Sequence, residues 1–232
     1  MAIRHYLAMT ASEMRACRHF PENTAWMACH LSPYGAGLSA MPKTLKPGSL
    51  LILDDCTPIY RHDPALILEE LQNCVQELAL WGVLLDFQRP GYPGEQALAK
   101  TLTEGLRCPV AVSELYAGET DGAVFLAPTP LTVPLKKALA PWKEREIWLD
   151  TSLGGEEISL SPNGAAARLT SQRESPETGH SDEALHCHYQ IRTEKEKAVF
   201  TLWRTREDLD ALLHEAETWG VKTAVGLYQE LK

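Results

Sequence analysis

Carboxylates close the apolar runs of this chain, and their spacing is where chemistry first suggests itself. Ser49-Leu-Leu-Ile-Leu-Asp-Asp55 ends in Asp54 and Asp55, and Val83-Leu-Leu-Asp-Phe-Gln88 carries Asp86 and Gln88. Pro109-Val-Ala-Val-Ser-Glu114 ends in Glu114, Glu146-Ile-Trp-Leu-Asp150 in Asp150, and Glu230 follows the last run, Thr223-Ala-Val-Gly-Leu-Tyr228. Strand-to-loop transitions favour Asp and Glu simply because they are solvated there, so each has an ordinary structural explanation. Gathered on one rim, they would suit a small molecule or a divalent metal. In a strand of period two, residues 84, 86 and 88 share one side. Asp86 can orient and stabilise a polar group. Gln88 has no acidic proton near neutral pH and can only hydrogen bond.

Other reactive types are weaker signals. Cys56 follows Asp54 and Asp55 but has no evident histidine partner, so a buried, inert thiol is expected. His186-Cys-His188 would put two imidazoles on one strand face, and two ligands do not make a metal site. A solvated hairpin face is expected there. Gly35, Gly37, Gly91 and Gly94 form no phosphate-cradling pattern, so nucleotide binding has no support, and no motif assigns another cofactor or a specific set of metal ligands.

The elements that must hold these residues alternate between short apolar runs and helical spacing from residue 49 onward, the pattern of a parallel sheet covered by helices. A helix over 63–81 has Asp63 as N-cap and Pro64 at its first position. Its stripe is Leu68, Leu71, Val75, Leu78 and Ala79, and Gly82 stops it. A second helix spans about 94–105, with Ala97, Leu98, Leu102 and Leu106 inward. A short one covers 135–139, and another spans 205–219 with Leu209, Leu212, Leu213 and Ala216 inward. Strands follow at 83–88, 109–114, 123–127, 146–150 and 223–228. Arg4–Met9, Ala25–Leu31 and Gly37–Met41 are candidates for the first two strands of the sheet. Residues 154–203 break the rhythm. They read as an insertion with a short helix (Asn163–Leu169), a mobile loop and a hairpin pairing Leu185–Arg192 with Ala198–Trp203. The whole of 1–232 reads as one domain.

Composition narrows the class. The chain has 232 residues, 44% hydrophobic and 23% charged, enough for one sizeable core. A net charge of −9 argues against nucleic acid, which needs a basic stripe. No apolar run is long enough to span a bilayer, and no secretory signal is visible, so no membrane partner is expected. Six scattered cysteines without a C-x-x-C pair read as reduced thiols in a cytoplasmic protein.

Trp81-Gly-Val-Leu-Leu-Asp-Phe-Gln88 resembles the fourth barrel strand of family 18 glycoside hydrolases, the chitinases and their relatives, whose pattern is D-G-x-D-x-D-x-E. The hairpin with Phe200–Trp203, the helix over 205–219 and the closing strand ending in Tyr228 resemble the end of spore-cortex and chitinase-like members. The resemblance covers roughly residues 49–232. It implies a (β/α)8 TIM-type barrel with a small α+β insertion before the last strand. It also implies a rim cleft for N-acetylglucosamine-containing glycans or a related small molecule, with Tyr228 as stacking platform. Asp54, Asp55 and Glu230 join it as ligand-binding candidates. The departures fall on the chemistry: Trp81 and Leu84 replace two aspartates, and Gln88 stands where the family has its proton donor. In that family the substrate acetamide is the nucleophile, so the protein must supply the acid. Losing general acid catalysis costs about 10²–10⁴-fold in rate. The expectation is a catalytically degenerate, glycan-binding barrel. The alternatives are a hydrolase with a relocated acid, Glu114 or Asp150, and a non-catalytic scaffold.

Overall fold

The computed structural model describes residues 2–32, 37–56, 62–90, 93–170, 179–194 and 196–232. Eight parallel strands close into a barrel: β1 (Arg4–Met9), β2 (Thr24–Leu31), β4 (Leu50–Asp54), β5 (Gly82–Asp86), β6 (Val110–Ser113), β7 (Ala123–Leu126), β8 (Ile147–Asp150) and β14 (Thr223–Leu227). Closure comes from β1, which pairs in parallel with both β2 and β14. A two-residue β3 (Leu38–Ser39) lies antiparallel on β2. Of the three candidate segments for the first two strands, the first two therefore take the barrel positions and Gly37–Met41 supplies only this edge.

The barrel strands read as unbroken apolar runs because both faces are buried. One parity fills the interior with Tyr6, Leu50, Leu84, Phe125, Trp148 and Val225, among small Ala8, Ala25 and Ala111. Trp81 stacks between Tyr6 and Trp148, with ring centroids 5.2 and 5.1 Å apart. The interior is thus a packed plug below the rim. The other parity faces the helices. Leu51, Leu53, Val83, Leu85 and Val112 pack against α2 (Pro64–Glu77) and α3 (Pro93–Gly105). Leu126, Ile147 and Leu149 pack against α5 (Leu135–Leu139) and α6 (Arg206–Thr218).

Asp63 caps α2 by accepting from the Ala65 and Leu66 amides, with Pro64 at the first position. The helix ends earlier than expected. Glu77 is its last residue, Ala79 takes a left-handed φ of 49°, and Gly82 opens β5 instead of stopping the helix. Glycine is needed there because an added Cβ would lie 2.7 Å from the Pro109 carbonyl oxygen.

Between β8 and α6 stands a five-stranded antiparallel sheet in the order β10-β9-β13-β12-β11. It comprises β9 (Gly155–Ser161), β10 (Gly164–Thr170), β11 (His180–Asp182), β12 (Cys187–Glu194) and β13 (Lys197–Trp203). The hairpin expected over 185–203 is β12–β13. The helix expected at Asn163–Leu169 is instead β10. Ser161 pairs with Gly164 across Pro162-Asn163, and Gly164 has a φ of 126°, which makes a tight hairpin. Seven residues cannot offset helix nucleation, while β9 offers them a full ladder. The loop placed at 171–178 and Lys195 lie outside the described residues. Among the described residues, no helix is long and apolar enough to cross a membrane.

Candidate functional site

Register brings the rim residues together. His30 of β2 is the direct partner of Asp54 on β4, and Asp54 is the partner of Asp86 on β5. Three neighbouring strands thus present a His–Asp–Asp row at one level. The β2–β4 register shifts between Trp26 and Cys29. After that irregularity Cys29 and Leu31 face the helices, which leaves His30 to face the rim.

Above the plug the rim opens into a cleft of about 450 Å³. Its polar lining is Asp54, Asp86, Gln88, Asp150 and Ser152; Ile52, Phe125, Val225 and Leu227 are among its apolar walls. Leu169 of β10, 73% exposed, also contributes from the antiparallel sheet.

Strand parity places Leu84, Asp86 and Gln88 on the interior side, as the alternation requires. Gln88 Nε2 donates to Asp86 Oδ1. Burial pushes the Asp86 carboxyl above the usual range, the Gln88 bond opposes that, and the charges of Asp54 and Asp55 reinforce it. Asp150 is pushed up to about 6, chiefly by loss of solvent. Bonds from the Ser152 amide and hydroxyl, at 3.2 and 2.7 Å, pull it down, and the charges of Asp86 and Glu230 raise it further. Two of the cleft's three carboxyls thus sit in different surroundings, Asp86 bonded to an amide and Asp150 close to half-protonated at mildly acidic pH. A group poised like Asp150 can donate a proton or hold a neutral hydrogen bond to a ligand hydroxyl.

The other expected site residues lie elsewhere. Asp55 is buried, and its two oxygens accept from the Gln88 and Arg89 amides at 2.9 and 3.0 Å, joining the ends of β4 and β5. Glu114 begins α4 (Glu114–Ala117), is exposed, and accepts from Trp142 Nε1 at 3.1 Å outside the cleft. Glu230 accepts from the Leu153 amide at 2.7 Å and so fixes the segment after β8. Tyr228 leaves the barrel altogether. It starts α7 (Tyr228–Leu231), its hydroxyl lies 3.8 Å from Cys17 Sγ, and Lys232 Nζ sits 5.5 Å from its ring centroid. The reason is parity: Val225 and Leu227 face the cleft, so residue 228 faces away. Gly35 and Gly91 lie outside the described residues.

Two sequence readings are corrected by contacts. His186 Nε2 and His188 Nδ1 do not form a solvated face or share a ligand. They pair with Glu215 and Asp208 of α6 at 2.6 and 2.7 Å and so dock the antiparallel sheet on that helix. Cys56 is exposed, not buried, and its Sγ lies 3.5 Å from His30 Nδ1. His30 itself went unnoticed in the sequence. The Asp54-x-Cys56 spacing was visible there, but the histidine joins it only through strand register.

No family model and no curated protein sequence matches the chain. Solved structures do match it. The class V chitinase of Nicotiana tobaccum, as a glutamate-to-glutamine mutant in complex with NAG4, superposes with a TM-score of 0.63 at 10% identity, covering 98% of this chain and 94% of that one. The chitinase-like agglutinin of Robinia pseudoacacia gives 0.61 at 13% identity over 98% and 95%. The spore cortex-lytic enzyme SleL of Bacillus cereus gives 0.58 at 8% identity over 97% and 70%. A closed eight-stranded parallel barrel that superposes on all three has the chitinase-like (β/α)8 fold.

Proposed function

We propose that the protein binds a glycan or a small sugar-derived ligand in the rim cleft and does not hydrolyse it by the family 18 route. The observation that carries this reading is the Asp86–Gln88 pair: an orienting carboxylate retained, with an amide bonded to it where the acid would stand. An amide cannot protonate a leaving oxygen. The cleft, at about 450 Å³ with hydrogen-bonding groups on apolar walls, suits a few sugar units. Two of the similar structures supply precedent. One is a chitinase-like agglutinin, and the other is a glutamine-substituted chitinase in complex with NAG4. A cytoplasmic protein would meet such ligands as short breakdown products, not as polymer.

One observation favours a second reading. Asp150 lies in the same cleft with a pKa near 6, the range of a working general acid. Hydrolysis through this relocated acid is the competing proposal; Glu114, outside the cleft, gives it no support.

Thermal stabilisation and turnover with N-acetylglucosamine oligomers, measured on the native protein, Gln88→Glu and Asp150→Asn, separate the two. Stabilisation without turnover in the native protein, with turnover gained in Gln88→Glu, is the expected result. Native turnover that disappears in Asp150→Asn would establish the relocated acid instead. If no oligomer stabilises any of the three proteins, the glycan reading fails.

A further inference from the structure

We propose that His30, Asp54 and Cys56 form a binding site for a zinc-class divalent cation at the rim, with an open coordination position facing the cleft. The inference does not rest on the glycan reading.

Three lone-pair donors of different type converge here. His30 Nδ1, Asp54 Oδ1 and Cys56 Sγ all lie within 4.8 Å of one another. The imidazole nitrogen is 2.8 Å from the carboxylate oxygen and 3.5 Å from the sulfur. One proton on Nδ1 can bridge to one of these neighbours only. The Asp54 carboxylate gathers the other two, with the imidazole and the thiol both in hydrogen-bonding reach of it. A cation at the centre would replace these bonds with three direct ligand bonds.

The spacing fits. Tetrahedral zinc with Zn–N of about 2.0–2.1 Å and Zn–S of about 2.3 Å holds its nitrogen and sulfur ligands about 3.5 Å apart. The observed separation of nitrogen and sulfur already has that value. The nitrogen and oxygen need to part by only about 0.5 Å from their hydrogen-bonded distance. Rigid elements supply two of the ligands, since His30 and Asp54 are register partners on adjacent barrel strands. The third is held locally, because the Cys56 amide donates to Asp54 Oδ1 at 3.0 Å. His/Asp/Cys is a borderline donor set that suits zinc better than magnesium or calcium, which prefer all-oxygen shells. Three protein ligands leave a fourth position for water or a ligand atom. Asp54 also lines the cleft, so that position would adjoin Asp86.

Binding balances as neutral His30, ionised Asp54 and the Cys56 thiol plus M²⁺ giving the complex and one proton released to solvent. The cation must displace that proton, so affinity falls as pH falls.

The test strips the full-length protein with a chelator and titrates it with Zn²⁺ and then Co²⁺. One equivalent is expected to bind, with the near-ultraviolet charge-transfer band of a cobalt thiolate. Cys56→Ser should abolish that band, and each of Cys56→Ser, His30→Gln and Asp54→Asn should weaken zinc binding about tenfold or more. His188→Gln, which alters the other histidine cluster, should leave both unchanged. Cobalt binding without a thiolate band, or Cys56→Ser binding zinc as tightly as the native protein, would overturn the assignment. Cys56 is exposed, so its replacement does not put folding at risk.

Discussion

At Asp150 burial and charge conflict. Its carboxyl is raised to about 6 by desolvation first, against the pull of two Ser152 bonds, with Asp86 and Glu230 adding to the rise. The unfolded reference is about 3.9. Between these values the folded chain holds more protons than the unfolded one. The residue's contribution is therefore most favourable below about pH 4 and is lost as pH rises through 6. At pH 7.5 its charge opposes folding, and Asp150→Asn removes that opposition. The variant should be more stable than the native protein at pH 7.5 by on the order of 1–3 kcal/mol. The difference should vanish near pH 4, as read from paired thermal melts. Equal melting at pH 7.5 would mean the charge is as well accommodated in the fold as in water. The placement of Asp150 could be read from the alternation of residues 148 and 150. Its raised pKa could not, because it comes first from burial in the assembled barrel, with charges from β5 and α7 adding to it.

Arg204 ties two elements that the sequence leaves far apart. Only 4% exposed, its guanidinium donates to three backbone carbonyls: His186 at 3.2 Å, Thr129 at 3.0 Å and Pro130 at 2.7 Å. It thereby joins the end of β13 to the segment between β7 and α5. The next residue, Thr205, caps α6 through a reciprocal pair with Asp208, and Asp208 also holds His188. Arg204→Met would keep the volume and strand three carbonyls, at a cost of about 2–4 kcal/mol in urea unfolding. Arg204→Lys should recover only part of this, since a compact ammonium cannot span three separated acceptors. A methionine variant as stable as the native protein would show that the two elements hold together by apolar packing alone. At this scale the barrel strands and α2, α3 and α6 were readable because each carries an apolar face of the right period. β10 was not. Ala165, Ala166 and Ala167 suit a helix, and their strand state depends on Asn163-Gly164 and on β9 as partner. Tyr228 was misplaced for a related reason: the closing strand ends at Leu227, and one residue changes the face.

The whole molecule divides into a body without edges and a sheet with two. In the barrel every strand has neighbours on both sides, apolar residues fill the interior, and helices cover the outside. Opening any part of it exposes core, so its amides should exchange only with global unfolding. The antiparallel sheet is different. β13 and β12 rest on the body through Cys187 and Leu202, which bury against Leu131, and through the two histidine pairs with α6. β10 is its outer strand. Every residue from Gly164 to Leu169 is exposed, and the strand is held by its ladder to β9 and by the Arg168–Glu157 ion pair. Hydrogen exchange at pH 7 should therefore show β10 labelling first, β12 and β13 later, and β4, β5 and β8 last. The order bears on function as well as stability, because Leu169 of β10 is one wall of the cleft. A ligand that fills the cleft would press on the most easily opened strand of the molecule, so its binding should slow exchange in β10 before it changes anything in the barrel. Protection of β10 equal to that of β5 without ligand would mean that a second body already covers this edge.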